Sequence, residues 1–474
     1  MVFSSMVFLW IFFPVVFILS RLIRKPKQQN IILLIASLFF YAWGEPKYIF
    51  LLLFSVLMNW GFGLLIDRDR TRARLYLTLS VIGNLGLLGY FKYCNFFLHT
   101  LDRLLPSVPV PATNIALPIG ISFFTFQAMS YVIDLYRGEI KVQKNLLNLM
   151  LYISFFPQLI AGPIVRYIDI EAQIEDRNPG REDLAEGFRR FIYGLGKKVI
   201  LANLLAVSAD NLFALAPEQM SSLYAWAAAV FYTLQIYYDF SGYSDMAIGM
   251  GRMFGFNFLE NFRYPYISMS IQEFWRRWHI SLSTWFREYL YIPLGGNRKG
   301  KVRTYINLFI VFATTGLWHG ASWNFVGWGL YHGFFLILER MGFSKILKKD
   351  RTHFFSRVYT LLVVIIGWVF FRVESVRQGF AIVLRMLMPW RYTQAGAGVV
   401  PGLLFNNQTI LALVLGVIGC GLMQRVFSKY RRLGRISDSF KNSPLEALYL
   451  TLVLFYCIVL LANNTYNPFI YFRF

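Results

Sequence analysis

Residues Thr314–Arg340 read TTGLWHGASWNFVGWGLYHGFFLILER, a run whose residues are almost all apolar or small. About 20 such residues cross the hydrocarbon core of a bilayer, and this stretch exceeds that length from either end. His319 lies inside it. An imidazole at membrane depth costs a few kcal/mol unless it is hydrogen-bonded or faces a wet cavity, so it marks a functional site by default. Gly316, Gly320 and Ala321 flank it and remove side-chain bulk around it. A second histidine, His279, lies 40 residues upstream (319 − 279 = 40) in a segment dense with charge. Of the remaining histidines, His332 fits a packing or hydrogen-bonding role, and His99 and His353 are expected in loops.

Composition extends the membrane reading to the whole chain. Its 474 residues are 57% hydrophobic and only 15% charged, with a mean hydropathy of +0.48, whereas a soluble domain carries about 25% charged residues. Apolar stretches recur over 7–19, 31–41, 48–66, 75–90, 115–133, 146–164, 187–207, 224–238, 305–338 (a pair), 359–371, 409–423 and 445–462. The expected fold is therefore all-α and polytopic, with roughly eleven spanning or part-spanning helices. Without a repeat or a low-complexity linker, residues 1–474 read as one membrane domain.

The net charge of +22 could point to nucleic acid, but the positions of the basic residues exclude that. They sit in loops: Arg21, Arg24, Lys25 and Lys27; Arg68, Arg70, Arg72 and Arg74; Lys345, Lys348, Lys349 and Arg351; Lys429, Arg431, Arg432 and Arg435. Such loops face the cytoplasm. With no basic residue before the first span, both termini are expected outside a plasma or inner membrane, and that span lacks the charged start of a cleavable signal. Cys94, Cys420 and Cys457 have no metal-type spacing and behave as small hydrophobes. The absence of a zinc, phosphate-loop or dinucleotide motif argues against a resident cofactor or metal.

The polar insertions carry further information. Glu182 and Asp183 precede an apolar-periodic run, so 166–190 is expected to be a loop entering an amphipathic helix. Over 263–303, Phe274, Trp275, Trp278, Trp285 and Phe286 alternate with Glu273, Arg276, Arg277, Arg287 and Glu288, the composition of helices lying at a membrane interface. Asp239 and Asp245 stand in a span with Gly242, Gly249, Gly251 and Gly255; such acids pair with Arg or cap unwound backbone, so they read as structural or channel-lining rather than catalytic.

Taken together, DFSGYSDMAIG, NFRYPYISMSIQEFWRRWHISLSTWFREYLYIPLGGNRKG and GLWHGASWNFVGWGLYHG, with FFPQLIAGPIVR before them and FIYFRF at the end, closely resemble the bacterial membrane-bound O-acyltransferases. The match is nearest to the alginate O-acetylation type and more distant to the teichoic acid D-alanylation type. It covers most of the chain and is most specific over about 239–333; Glu288 departs from the more usual Asp but keeps the carboxylate. The resemblance implies a cytoplasmic thioester donor such as acetyl-coenzyme A, an extracytoplasmic hydroxyl acceptor, an essential histidine at His319 and a second at His279.

The residue chemistry agrees. Transfer from a thioester to a hydroxyl needs a base, which neutral imidazole supplies, and a dry site limits wasteful hydrolysis. Arg276, Arg277, Arg298 and Lys299 are candidates for donor phosphates, and Trp318 and Asn324, on either side of His319, complete the substrate-binding set. No large soluble segment exists to hold a polysaccharide, so an extracytoplasmic partner protein or the acceptor polymer itself is expected at the Pro- and Gly-rich outward segments 97–114 and 388–407 and at the tail 469–474. The competing class is a transporter or flippase. That class explains neither the basic, aromatic region beside a buried histidine nor the lack of two similar halves.

Overall fold

Lipid offers no hydrogen bonds, so a backbone crossing it must satisfy its own polar groups, and helices do so within one segment. The computed structural model describes residues 1–23, 25–106, 111, 113–390, 406–430, 439–463, 466–468 and 470, with side chains 427–429 also outside the description; the described residues are helical, with no strand. Among them, six helices are long and apolar enough to cross a membrane: Ile49–Arg68, Ala73–Leu104, Arg181–Phe213, Phe354–Arg372, Asn407–Val426 and Pro444–Asn463. The other apolar stretches are helical too, but more polar or more broken. The outward segments at 97–114 and 388–407, the basic cluster at 429–435 and the tail fall wholly or partly outside the described residues. His99, expected in a loop, lies on the helix Cys94–Leu104, which continues the span beginning at Ala73.

The described residues divide into two compact units, Met1–Phe191 with Ser244–Leu259, and Ile192–Tyr243 with Glu260–Phe474. In the first, the 146–164 stretch is not one span but two helices, Leu146–Ser154 and Phe156–Leu159. Pro157 lacks the N–H that would bond the Ile153 carbonyl, and its ring crowds that carbonyl, so the first helix ends at Ser154 and the chain turns at Phe155. Side chains satisfy groups freed by the break: Phe156 N–H donates to Ser37 Oγ at 3.1 Å, and the Tyr152 carbonyl accepts from Gln158 Nε2 at 2.5 Å. Asn59, Ser80 and Asn84 form a second buried polar knot, with Asn84 Nδ2 donating to Asn59 Oδ1 at 2.8 Å and Ser80 Oγ to the same atom at 3.0 Å. Asp245 pairs with Arg190 at 2.8 Å, as its place in an apolar helix requires.

The second unit centres on the hairpin of Lys301–His319 and Trp323–Leu338. A Cβ on Gly316 would meet the Phe325 carbonyl oxygen at 2.2 Å, and one on Gly329 that of Phe312 at the same distance. These glycines let two backbones touch, the small-residue packing that holds helices together where no hydrophobic force acts between them. Gly320 plays the same part, since the Phe325 ring lies where a Gly320 Cβ would sit.

Against this hairpin lie two short helices, Ile271–Arg277 and Ile280–Phe286. Ser270 caps the first by accepting from Glu273 N–H at 3.0 Å, and the buried carboxylate of Glu339 accepts from Ile271 and Gln272 N–H at 2.6 and 3.0 Å. The aromatic rings of this region were expected at the lipid interface. Instead Phe274, Trp275, Trp278, Trp285 and Phe286 are all buried. The spacing that suggests an interfacial helix also suits two short helices with their rings turned inward, and capping by Glu339 from a distant helix favours the second arrangement.

Candidate functional site

His319 is the last residue of the Lys301–His319 helix, and His279 precedes Ile280–Phe286. Tertiary folding brings them together, their ring centroids 6.3 Å apart. Both are buried. Around His319 stand Trp318, Trp328 and Phe371, with ring centroids at 5.0, 5.1 and 5.2 Å. His279 has Phe240 at 4.6 Å and Trp318 at 5.9 Å, and its Nδ1 lies 3.2 Å from Asn261 Oδ1. Its Nε2 has no hydrogen-bond partner among the described residues.

A narrow apolar chamber, with free room for about one water molecule, lies against His319, walled by Ile236, Phe240, Trp278, Trp368, Phe371 and Ile470. Beside it opens a larger hollow of about 1180 Å³, counted with the solvent at its mouth, with Gln235, Ser322, Asn324, Arg372 and Glu374 in its wall. Phe371 and Ile470 line both. The site thus sets a narrow, ring-lined apolar chamber beside a polar hollow suited to a hydroxylated molecule, and the imidazole borders the chamber.

Of the residues expected to act here, His279, His319 and Trp318 meet, and Asn324 lines the hollow. Asn324 is itself buried, donating from Nδ2 to the Val373 carbonyl at 2.8 Å and accepting from Ser322 Oγ at 2.5 Å. The basic candidates are elsewhere. Arg276, Arg298 and Lys299 are exposed, and Arg277 pairs with Glu273 at 2.8 Å while donating to the Arg263 carbonyl at 3.1 Å. At a helical rise of about 1.5 Å per residue, His319 lies about 27 Å along its helix from Lys301 (319 − 301 = 18 residues), so Arg298 and Lys299 cannot reach its ring. His332 is fully buried against Trp275 and Trp328, each at 5.2 Å, and neither of its nitrogens has a hydrogen-bond partner among the described residues. It packs, as expected.

Sequence reasoning missed Asn261, Phe371, Arg372 and Ile470. Arg372 donates to Asp210 at 2.5 Å, which also accepts from the Tyr466 hydroxyl. Asp239, expected to pair with Arg or to cap backbone, pairs instead with Lys198 at 2.5 Å and also accepts from Ile470 N–H at 2.9 Å. Lys198 also donates to the Pro468 carbonyl. A lysine in the apolar run 187–207 was the one signal that could have revealed this anchor.

The model of the membrane-bound O-acyltransferase family matches residues 137–383, which include both histidines. The chain is 40% identical to the probable alginate O-acetylase AlgI of Pseudomonas putida, over 100% of both chains. It is 37% identical to the peptidoglycan O-acetyltransferase of Helicobacter pylori, over 82% of this chain and 80% of the relative. Similarity to the teichoic acid D-alanyltransferase of Bacillus subtilis is lower, 28% over 65% and 78%.

Proposed function

Since this chain belongs to the membrane-bound O-acyltransferase family, we propose that it moves an acetyl group from a cytoplasmic thioester to a hydroxyl of an exported polysaccharide, with His319 as the base. The observation that carries this reading is the position of His319 against a small apolar chamber that shares two wall residues, Phe371 and Ile470, with a polar hollow. In the reaction, the acceptor hydroxyl gives its proton to His319 as its oxygen attacks the thioester carbonyl. The C–S bond then breaks, and the proton passes to the departing thiolate. His279, in ring contact with His319, assists at the donor. The aromatic walls exclude bulk water and so protect the thioester from hydrolysis. No covalent intermediate on the chain is required.

Lys345, Lys348, Lys349 and Arg351 precede the Phe354–Arg372 helix, and the polar hollow lies at its Arg372 end. By the positive-inside rule this supports a hollow facing outward, toward the acceptor or a partner protein that carries it. The exposed turn with Arg298 and Lys299, at the opposite end of the histidine helix, supports donor entry from the cytoplasm, with coenzyme A phosphates gripped remotely from the reacting atoms. Single cysteines at Arg298→Cys or Lys299→Cys, in a chain freed of its native cysteines, are expected to react with impermeant thiol reagents in inside-out vesicles and not in intact cells. Labelling in intact cells would reverse the donor route.

The acceptor named for relatives is alginate in one and peptidoglycan in another, and the reading favoured here is a secreted polysaccharide of the first kind. Deleting the chain should remove ester-linked acetyl groups from the secreted polymer, and restoring it should return them. An unchanged acetyl content in the deletion strain overturns the assignment. A transporter without acyl transfer is not favoured, because the relatives are named for acyl transfer.

A further inference from the structure

His279 has a left-handed backbone, φ 44° and ψ 55°, a conformation that a residue with a Cβ keeps only where its surroundings enforce it. Asn261 supplies that enforcement. Its carbonyl oxygen accepts from Ile280 N–H at 3.0 Å, and its side-chain Oδ1 accepts from Ser281 N–H at 3.2 Å and from Ser281 Oγ at 2.9 Å. The same Oδ1 stands 3.2 Å from His279 Nδ1. Because a backbone N–H can only donate, the Ser281 contact identifies this atom as the amide oxygen, which can only accept. The hydrogen in the His279 contact must therefore sit on Nδ1. A neutral imidazole has one N–H, so Nε2 is left with its lone pair.

We infer that Asn261 is a positioning residue that holds His279 as the Nδ1–H tautomer and so makes its Nε2 a basic nitrogen of the acyl-transfer site. This rests on the reading of His279 as part of that site. His279 lies between two seven-residue helices, each too short to span a bilayer, and complete burial disfavours its charged form. The ring is packed by Phe240 from the Ser222–Met253 helix, by Phe262 beside Asn261, and by Trp318 and His319 from the Lys301–His319 helix. His319 is the titratable group among these contacts. The charged residues nearest on the same elements are Asp239, engaged with Lys198; Glu260 and the exposed Arg263, flanking Asn261 and Phe262; and Arg276 and Arg277, the latter held by Glu273. An imidazole hydrogen-bonded through Nδ1 to a neutral amide accepts a proton at Nε2 without a carboxylate to retain it, which suits a group that must take up and release a proton within one transfer.

The tautomer can be read directly. In the full-length protein in lipid nanodiscs with isotope-labelled histidine, the His279 signals being those lost in His279→Gln, nitrogen NMR should find Nδ1 protonated and Nε2 bare. An Nε2–H tautomer, or fast exchange between the two, overturns the inference. A pH profile of acetyl transfer gives an independent arm. Asn261→Asp keeps the acceptor but adds a charge that favours imidazolium, so the acidic limb, where activity falls as His279 protonates, should move up by about 1–3 pH units with the alkaline plateau largely kept. Asn261→Leu should lower transfer at every pH by about 10²- to 10⁴-fold, as when a catalytic imidazole is left in the wrong tautomer. Equal losses in both variants with no shift of the limb would mean that Asn261 is only structural. Undiminished transfer by His279→Gln would instead sink the role of His279 in the site while leaving the tautomer result standing.

Discussion

Replacing His319 with alanine is expected to lower acetyl transfer by about 10²- to 10⁴-fold, the usual loss when a general base is removed, while the protein stays folded in the membrane. The ring is buried between Trp318, Trp328 and Phe371 and borders the chamber, so alanine also enlarges that chamber. His319→Gln controls for this, since it fills the space without supplying a base near neutral pH, and it should be as inactive. Transfer of labelled acetyl in membranes, at matched protein level and with size-exclusion behaviour unchanged, is the measurement. Near-native rates in both variants would remove His319 from the chemistry.

The largest stability effect is expected at Asp239. Its side chain and that of Lys198 are 3% and 2% exposed, so Asp239→Ala leaves an ammonium buried without its carboxylate. Breaking a buried pair from one side costs about 3–5 kcal/mol, whereas replacing both partners with apolar residues of similar size is often neutral. Thermal unfolding in detergent should therefore show a large fall for Asp239→Ala and a much smaller one for Lys198→Met combined with Asp239→Leu. The double variant still loses the acceptor for Ile470 N–H, so its transfer rate should remain below native even where its stability recovers. Equal destabilisation by the single and double variants would show that the pair contributes nothing beyond the space it fills.

How far a residue's role could be read from the sequence depended on how local its cause was. The helices at 49–68 and 354–372 announced themselves because about 20 apolar residues match one bilayer. Glu182 and Asp183 marked the start of the helix at Arg181, since acids favour a first turn. Asp239 and Asp245 were recognisable as acids needing partners, because a carboxylate in an apolar helix has few stable alternatives. Their partners were not recognisable: Lys198 and Arg190 lie 41 and 55 residues away (239 − 198 and 245 − 190). The aromatic segment at 271–286 was misplaced for a related reason, since alternating rings and charges describe a lipid interface and an inward-facing aromatic cluster equally well.

An all-α membrane protein of the O-acyltransferase type, with His319 and His279 as its site candidates, is legible along the chain, because apolar run length, misplaced imidazoles and motif order are properties of one dimension. The tertiary structure alone decided what surrounds them. It closes the Gly316 and Gly329 backbones onto their neighbours, turns the 271–286 rings inward, and brings Phe371 and Ile470 between chamber and hollow. It also separates His319 from Arg298 and Lys299 by a helix of about 27 Å (rise about 1.5 Å per residue; Lys301–His319). Those outcomes depend on which helix faces which, and that is set by packing between segments far apart in the chain, which no local periodicity encodes.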